Sequence, residues 1–249
     1  MDTSSDDAGA RAHLAPTGRM RAAINLGNPV LAHRDPASGA LGGVSVDLAR
    51  ELARRLGAEL ELVPFDAAGK VFEALKASRW DVAFLAIDPV RAAEIAFTPP
   101  YVIIEGSYLV RADSPLDSID AFDAPGVRIA VGRGAAYDLF LSRTLRHAEL
   151  VRSDTSSGAV DLFVRDRLDA AAGVRQPLLA YARQHPGYRV IDGSFTQIRQ
   201  AMGVPKAHEA AVSYLHAFIE EMKANGFVAT ALDRHGQSDA VVAPAQPAR

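Results

Sequence analysis

Charged and amide side chains at the ends of apolar segments are the groups in this sequence that could bind a small polar molecule. Arg91 follows residues 80–87, an apolar run with the length of a buried strand. The carboxyl ends of strands are where open α/β sheets bind ligands. A guanidinium offers two parallel N–H donors, a geometry that suits a carboxylate, and Arg91 is the strongest candidate for a ligand-binding residue. The alternative is a solvated arginine at a helix start that pairs with Glu94.

Backbone N–H groups at a helix start form a second candidate site. The pattern predicts a strand at 127–132, a turn, and a helix at 135–145. The first N–H groups of a helix have no partner within it and are able to meet an anion. Ala135 and Ala136 are therefore expected beside the ligand, with an ordinary helix N-terminus as the alternative. Lys70 opens another predicted helix.

Amides and one carboxylate could complete such a site. Asn28 is preferred over Asn25, which falls within a predicted strand, and Gln200 is a further candidate. Glu105 lies on the predicted strand at 101–111, where alternation allows either face. Facing the site, Glu105 would pair with an amine of the ligand; facing the other way, it is an ordinary exposed residue.

Two hydrophobic periods alternate from about residue 20 to residue 204, which predicts an α/β protein. Leu48, Leu52 and Leu56 repeat every four residues and predict a helix at 45–56 that ends at Gly57. Strands and helices then alternate, with a polar, proline-containing break at 112–115 that we take as the first crossing between domains.

Composition excludes several classes of protein. The chain has 249 residues, a formal net charge of -3 and no cysteine, so neither a nucleic-acid partner nor a disulfide is expected. The seven histidines lack metal-ligand spacing, and neither a metal nor a cofactor is expected. No segment has the length of a membrane span. Residues 1–18 are acidic and lack the apolar core of a signal peptide.

Five segments resemble, in order, the motifs of the bacterial family 3 extracellular solute-binding proteins. They are GVSVDLARELARRLG at 43–57, WDVA at 80–83, DPVRAAEIAFTPPY at 88–101, GVRIAVGRG at 126–134 and RLDA at 167–170. The resemblance runs from about residue 19 to residue 230. It implies a two-lobed Venus-flytrap fold of the periplasmic binding protein type II class, each lobe a mixed sheet flanked by helices. Lobe 1 would contain residues 19–111 and 200–236 and lobe 2 residues 112–199, with flexible tails at 1–18 and 237–249.

The resemblance also assigns roles at the site. Arg91 matches the arginine that clamps the solute carboxylate, while Ala86 replaces a hydroxyl residue. Val174 and Arg175 stand where many members have the acid that pairs with an ammonium, so the resemblance implies that the ammonium partner is lost. Asn28, Ala135 and Ala136 also differ from the residues that the family usually has at these positions. Four cationic residues fall in or beside segments that line the family's cleft: Lys70, Arg133, Arg175 and Arg199.

The resemblance implies a binding protein that captures a small carboxylate-bearing solute, an amino acid or related organic acid, for ABC-type import. An ABC permease would be its partner, and a monomer is expected. A cyclohexadienyl-dehydratase-like enzyme with Glu105 as the acid, or a cytoplasmic ligand sensor, stays open. The protein would be periplasmic if a signal peptide was removed and cytoplasmic if Met1 is native.

Overall fold

The structure, a computed structural model, describes residues 3–247. The chain divides into two compact units. Unit 1 contains the residues up to Phe65, Lys70–Ile103 and the residues from Arg199 on, whereas unit 2 contains Asp66–Gly69 and Ile104–Ile198. Each unit is therefore built from segments that are distant in the sequence.

Strands and helices alternate along most of the chain, as the two hydrophobic periods predict. The strands are β1 Arg19–Asn25, β2 His33–Arg34, β3 Leu41–Gly42, β4 Glu59–Phe65, β5 Val82–Ala86, β6 Ile95–Arg111, β7 Arg128–Gly132, β8 Glu149–Ser153, β9 Ala170–Val174, β10 Tyr188–Val190, β11 Thr196–Pro205 and β12 Val241–Val242. The α-helices are α1 Thr3–Leu14, α2 Val44–Leu56, α3 Ala68–Glu73, α4 Pro89–Ala92, α5 Ala136–Thr144, α6 Ser156–Arg165, α7 Arg175–Gln184, α8 Val212–Ala224 and α9 Phe227–Arg234. Short 3-10 helices cover Ala74–Ala77, Ile119–Phe122 and Lys206–Ala211.

The sheet of unit 1 has the strand order β4-β1-β5-β11-β6, with β12 also paired to β6. Strand β1 runs parallel to both β4 and β5, whereas β11 is antiparallel to β5. The carboxyl ends of β4, β1 and β5 consequently lie at one edge of the sheet. This is the edge at which open α/β sheets bind ligands.

Helix α2 shows how the sequence directs the packing of unit 1. Leu48, Leu52 and Leu56 are buried, as their four-residue spacing predicts. Gly57 ends the helix in the left-handed conformation with φ 58°, and its N–H bonds the carbonyls of Ala53 and Arg54. Ser45 lies inside the helix, and its hydroxyl hydrogen-bonds that of Tyr101 at 3.1 Å.

The sheet of unit 2 has the order β6-β9-β7-β8, with β10 also paired to β6. Strand β7 runs parallel to β8 and β9, while β6 is antiparallel to β9. Leu109, Phe163 and Leu168 belong to a buried apolar cluster in this unit. The carboxyl ends of β7, β8 and β9 form the edge that carries the starts of α5, α6 and α7.

The structure corrects the predicted flexible tails. Within 1–18, helix α1 buries Ala10 and Leu14, because it packs against Lys206–Ala211 and α8. Within 237–249, β12 pairs with β6, and the Ala243 N–H donates to the carbonyl of Tyr101 at 3.0 Å. Small apolar residues at both ends thus cover surfaces of unit 1. Residues 1–2 and 248–249 lie outside the described range.

The chain also passes from one unit to the other at positions that differ from the predicted ones. Apart from the short segment Asp66–Gly69, which belongs to unit 2, the chain crosses between residues 103 and 104, inside β6, and between 198 and 199. The prediction placed these two crossings at 111/112 and 199/200. The polar break at 112–115 marks the end of β6, since this 17-residue strand continues without interruption from one unit into the other.

Candidate functional site

Arg91 is positioned by the connection between β5 and α4. Asp88 is the N-cap of α4, and its carboxylate accepts a hydrogen bond from the Val90 N–H at 2.8 Å. Pro89 occupies the first helical turn, where its missing N–H costs nothing. These local features set the direction of the short helix and thereby place Arg91 at the carboxyl edge of unit 1.

The Arg91 side chain is only 1% exposed, which excludes the alternative of a solvated surface arginine. Its Nη1 donates to the carbonyl oxygen of Ala86 at 2.9 Å. Burial lowers the pKa of Arg91 to about 10, and the nearby Asp88 carboxylate partly opposes that shift. The guanidinium is therefore cationic at neutral pH and largely removed from water, the setting in which a carboxylate interacts with it most strongly.

Three further predicted residues of unit 1 lie at the same edge. Gln200 is 6% exposed and stands opposite Ala86 in the β11–β5 ladder. Asn28 follows the carboxyl end of β1 and is 5% exposed. Its Oδ1 is buried and has no hydrogen-bond partner among the described residues, so it offers an acceptor to a ligand N–H or O–H.

Lys70 and Arg199 differ from this buried group. Lys70 is exposed on α3, which follows the carboxyl end of β4. Arg199 is exposed, whereas its neighbour Gln200 is buried. Consecutive strand residues point to opposite faces, so Arg199 lies on the other face of β11 from Gln200.

In unit 2, the start of α5 places Ala135 and Ala136 as the sequence predicts, with Ala135 as the N-cap. The Gly134 N–H preceding the helix donates to Asp138 Oδ2 at 2.8 Å. Asp138 also ion-pairs with Arg152 at 3.1 Å. The Asp138 carboxylate therefore already accepts a hydrogen bond from this turn, which argues against the expectation that the turn binds an anionic ligand.

Arg133, on the same turn, is 58% exposed at its side chain and lies 3.7 Å from Asp154. Its backbone is more constrained. A Cβ added to Gly69 would lie 2.8 Å from the Arg133 carbonyl oxygen, so the close approach needs a glycine.

Besides the turn at the start of α5, the carboxyl edge of unit 2 has a second set of predicted residues, which are Glu105, Val174 and Arg175. Val174 ends β9 and stands opposite Gly106 of β6, which brings Glu105 alongside. Arg175 Nη1 donates to the carbonyls of Ile191 at 3.0 Å and Gly193 at 2.6 Å. The Arg175 Nε lies 3.9 Å from Glu105 Oε2, with the Glu105 side chain 47% exposed. An acidic group is thus present, but it comes from β6 and has a cationic neighbour.

Two residues that organise unit 2 were missed by the sequence analysis. Asp138 had a signal, since an acid in the first turn of a helix is a common capping residue. Ser107 had none. Its hydroxyl contacts the Ile191 and Gly193 carbonyls at 3.2 Å each, the same oxygens that Arg175 meets, and only the fold brings them together.

The described residues contain no cluster of three or more His, Asp or Glu side chains that could hold a metal ion. Over the same range, no helix is both long and apolar enough to cross a bilayer.

Comparison with known proteins identifies the family. The bacterial extracellular solute-binding proteins, family 3, match residues 20–238, so the chain belongs to that family. The histidine-binding periplasmic protein of Salmonella typhimurium is 26% identical over 204 residues, covering 76% of this chain and 77% of that protein. The L-cystine-binding protein of Escherichia coli is 25% identical over 198 residues, covering 76% and 71%.

A solved structure supports the same assignment at the level of fold. A mutant of ArgBP from T. maritima superimposes with a TM-score of 0.78 at 23% identity, covering 91% of this chain and 99% of that one. The predicted type II periplasmic-binding-protein fold and the predicted family are confirmed. Members of this family are extracellular or periplasmic proteins that bind solutes such as amino acids for ABC transporters.

Proposed function

We propose that this protein binds a small solute through a carboxylate group held by Arg91, and that the solute is an amino acid or a related organic acid. The buried Arg91 guanidinium carries this proposal. Its planar N–H donors match the two oxygens of a carboxylate, and the low-dielectric surroundings strengthen that interaction.

The relatives support a carboxylate because their named ligands share one. Histidine and cystine differ in side chain, charge and size, but each has an α-carboxylate. A group common to different ligands is best recognised by a residue whose position does not depend on the side chain of the ligand. Arg91, held by the backbone of β5 and the cap of α4, meets that requirement.

Recognition of the rest of the solute is proposed to differ from that of an ordinary α-amino-acid site. Asn28 Oδ1 is the proposed acceptor for a solute N–H or O–H, because it is buried and unused by the described residues. Glu105 is a weaker candidate for an ammonium, since Arg175 lies 3.9 Å away and offsets its charge. Ala86, whose carbonyl bonds Arg91, and Gln200, which stands opposite Ala86, are proposed neighbours of the bound solute.

The proposed role is delivery of the solute to an ABC permease on the outer side of the cytoplasmic membrane, as a monomer. A thermal-shift screen of amino acids, dicarboxylates and aromatic acids tests the binding function. A ligand at one hundred times its Kd stabilises the folded state by about 2.7 kcal/mol. Product analysis of every hit tests the alternative of a dehydratase.

The decisive variant pair is Arg91→Ala and Arg79→Ala. Arg79 is an exposed arginine of the same unit, so its removal controls for the loss of one charge. The proposal predicts that carboxylate hits stabilise the Arg79→Ala protein and fail to stabilise a folded Arg91→Ala protein. Equal stabilisation of both variants would remove Arg91 from the binding site.

A further inference from the structure

Unit 1 contains a cavity of about 480 Å³ that the proposed solute site does not use. Its described walls come from Ile87, which follows β5, and from the start of β6, β11, α8 and the C-terminal segment, and all of them belong to unit 1. A volume of this size is within the range of small-molecule sites, roughly 300–1,000 Å³.

The cavity is separated from the Arg91 edge by the alternation of strand residues. Ile87 and Arg199 both line the cavity, and the Ile87 N–H donates to the Arg199 carbonyl at 2.9 Å. Ala86 and Gln200, the next pair in the ladder, are buried and lie on the opposite face. The two sites therefore use opposite faces of the same strand pair.

Arg199 supplies the cavity with a positive charge. Among residues 3–247, none forms an ion pair or hydrogen bond with its side chain, and the side chain is exposed. His216 Nε2 lies 3.3 Å from the Gln246 carbonyl, which holds its ring at the wall. The nearby Glu220 is already engaged by Lys223 Nζ at 2.7 Å and by the Gln246 N–H at 3.0 Å. The local charge available to a ligand is consequently positive.

Apolar groups line part of the cavity. Phe97, Pro99 and Val212 provide an aromatic ring and aliphatic surface, while the Ser213 hydroxyl is a further polar group. A wall that combines this apolar surface with hydrogen-bonding groups and one cation suits a ligand that has a flat apolar body and a single anionic group.

We propose that this cavity is a second ligand site, which binds a small carboxylate with an aromatic or aliphatic body and is anchored by Arg199. It is additional to the Arg91 site. A solute that binds at one face leaves the other face of the β5–β11 ladder accessible, so one molecule of this protein binds two different carboxylates.

The test is a titration of the ¹⁵N-labelled protein with benzoate, in which the amide NMR spectrum is recorded at each benzoate concentration. Benzamide, which has the same shape without the charge, is the matched ligand control. The expected result is saturable shifts at Ser213 and His216 with benzoate and much weaker shifts with benzamide. Arg199→Gln should weaken the benzoate Kd at least tenfold, whereas Arg79→Gln, which removes a charge elsewhere in unit 1, should change it less than twofold.

Two results would overturn the proposal. The first is the absence of saturable shifts at Ser213 and His216 up to millimolar benzoate. The second is a set of shifts confined to Asn28 and Ala86 that Arg199→Gln leaves unchanged, since benzoate would then occupy the Arg91 edge alone. The amide spectrum of each variant reports directly whether it is folded. If Arg91 proves not to bind a solute, the shifts expected at Ser213 and His216 remain the same.

Discussion

The two units present their charges at the carboxyl edges of their strands in opposite ways. In unit 1 the cation is buried, with Arg91 1% exposed and bonded to the backbone of β5. In unit 2 the charges are closer to solvent, with the Arg133 side chain 58% exposed and that of Glu105 47% exposed. One edge holds a desolvated donor, while the other holds ion pairs that water screens.

Under the proposed function, this difference is expected to matter for the binding of the solute carboxylate. A charge in a low-dielectric setting interacts strongly with a partner of fixed geometry, so unit 1 suits the group that all solutes share. Exposed pairs contribute little each and tolerate substitution. Four predictions test this contrast, in order of decreasing effect.

The largest expected effect is the loss of affinity in Arg91→Ala compared with Arg133→Ala. Removing the buried donor should weaken solute binding at least 100-fold, about 2.8 kcal/mol, because a charge-assisted pair of hydrogen bonds is lost. Arg133→Ala should weaken it by no more than about threefold, as expected of an exposed charge. Calorimetric titration with a hit from the solute screen measures both values. Similar losses in the two variants would contradict the contrast.

The second prediction concerns stability in unit 2. Asp138→Ala should lower the free energy of unfolding by about 2 kcal/mol, because it leaves the Gly134 N–H and the Arg152 guanidinium without their acceptor. Asp161→Ala, at an exposed position on α6, is the control and should change it by less than about 0.5 kcal/mol. Urea unfolding measures both. If the two variants are equally stable, Asp138 does not organise this turn.

The third prediction separates binding from stability at Asn28. Asn28→Leu should weaken solute binding about tenfold, since the proposed acceptor is gone. It should change the free energy of unfolding by less than about 1 kcal/mol, because Oδ1 bonds to no described residue of the protein. Calorimetry and urea unfolding on the same variant measure the two effects. A large loss of stability with unchanged affinity would make Asn28 a structural residue.

The smallest effect is expected at a surface ion pair of unit 1, which serves as a reference for the buried Arg91. Hydrogen bonds from Arg54 and Arg55 lower the pKa of Glu51 on α2 to about 2. A lowered pKa in the folded state stabilises the protein above about pH 4.5, and this contribution is lost as the pH falls toward 2. Solvent screening limits it to less than about 1 kcal/mol.

Glu51→Gln should therefore be slightly less stable than the wild type at pH 7, and the difference should shrink by pH 3. Urea unfolding at both pH values measures it. A difference that stays constant between pH 7 and pH 3 would show that the effect of Glu51 does not come from its charge.

Sequence patterns predicted the elements better than the positions where the chain changes unit. The spacing of Leu48, Leu52 and Leu56 and the stop at Gly57 give α2 almost residue by residue, because these signals are local. The break at 112–115 indicated the end of β6, whereas the crossing lies eight residues earlier, inside the strand. A continuous strand carries no local signal for the point at which its packing partners change.

The candidate site likewise has features that the sequence predicted and features that only the fold sets. The positions of Ala86 and Arg91 at and after the end of β5 followed from pattern and resemblance. The ladder that sets Gln200 opposite Ala86 joins residues more than a hundred positions apart, and no sequence pattern specifies that register. The roles of α1 and β12 depended similarly on long-range contacts, since each covers a surface of unit 1 built from other parts of the chain.

The sequence by itself determined the family, the alternation of strands and helices, and the presence of an arginine after β5. Those properties depend on residue type and spacing over short stretches. Only the tertiary structure decided that Arg91 is buried, that Asn28 Oδ1 lacks a partner among the described residues, and that Glu105 meets Arg175. Burial and pairing depend on which distant segments pack together, and the same residue types in another arrangement would be solvated and chemically ordinary.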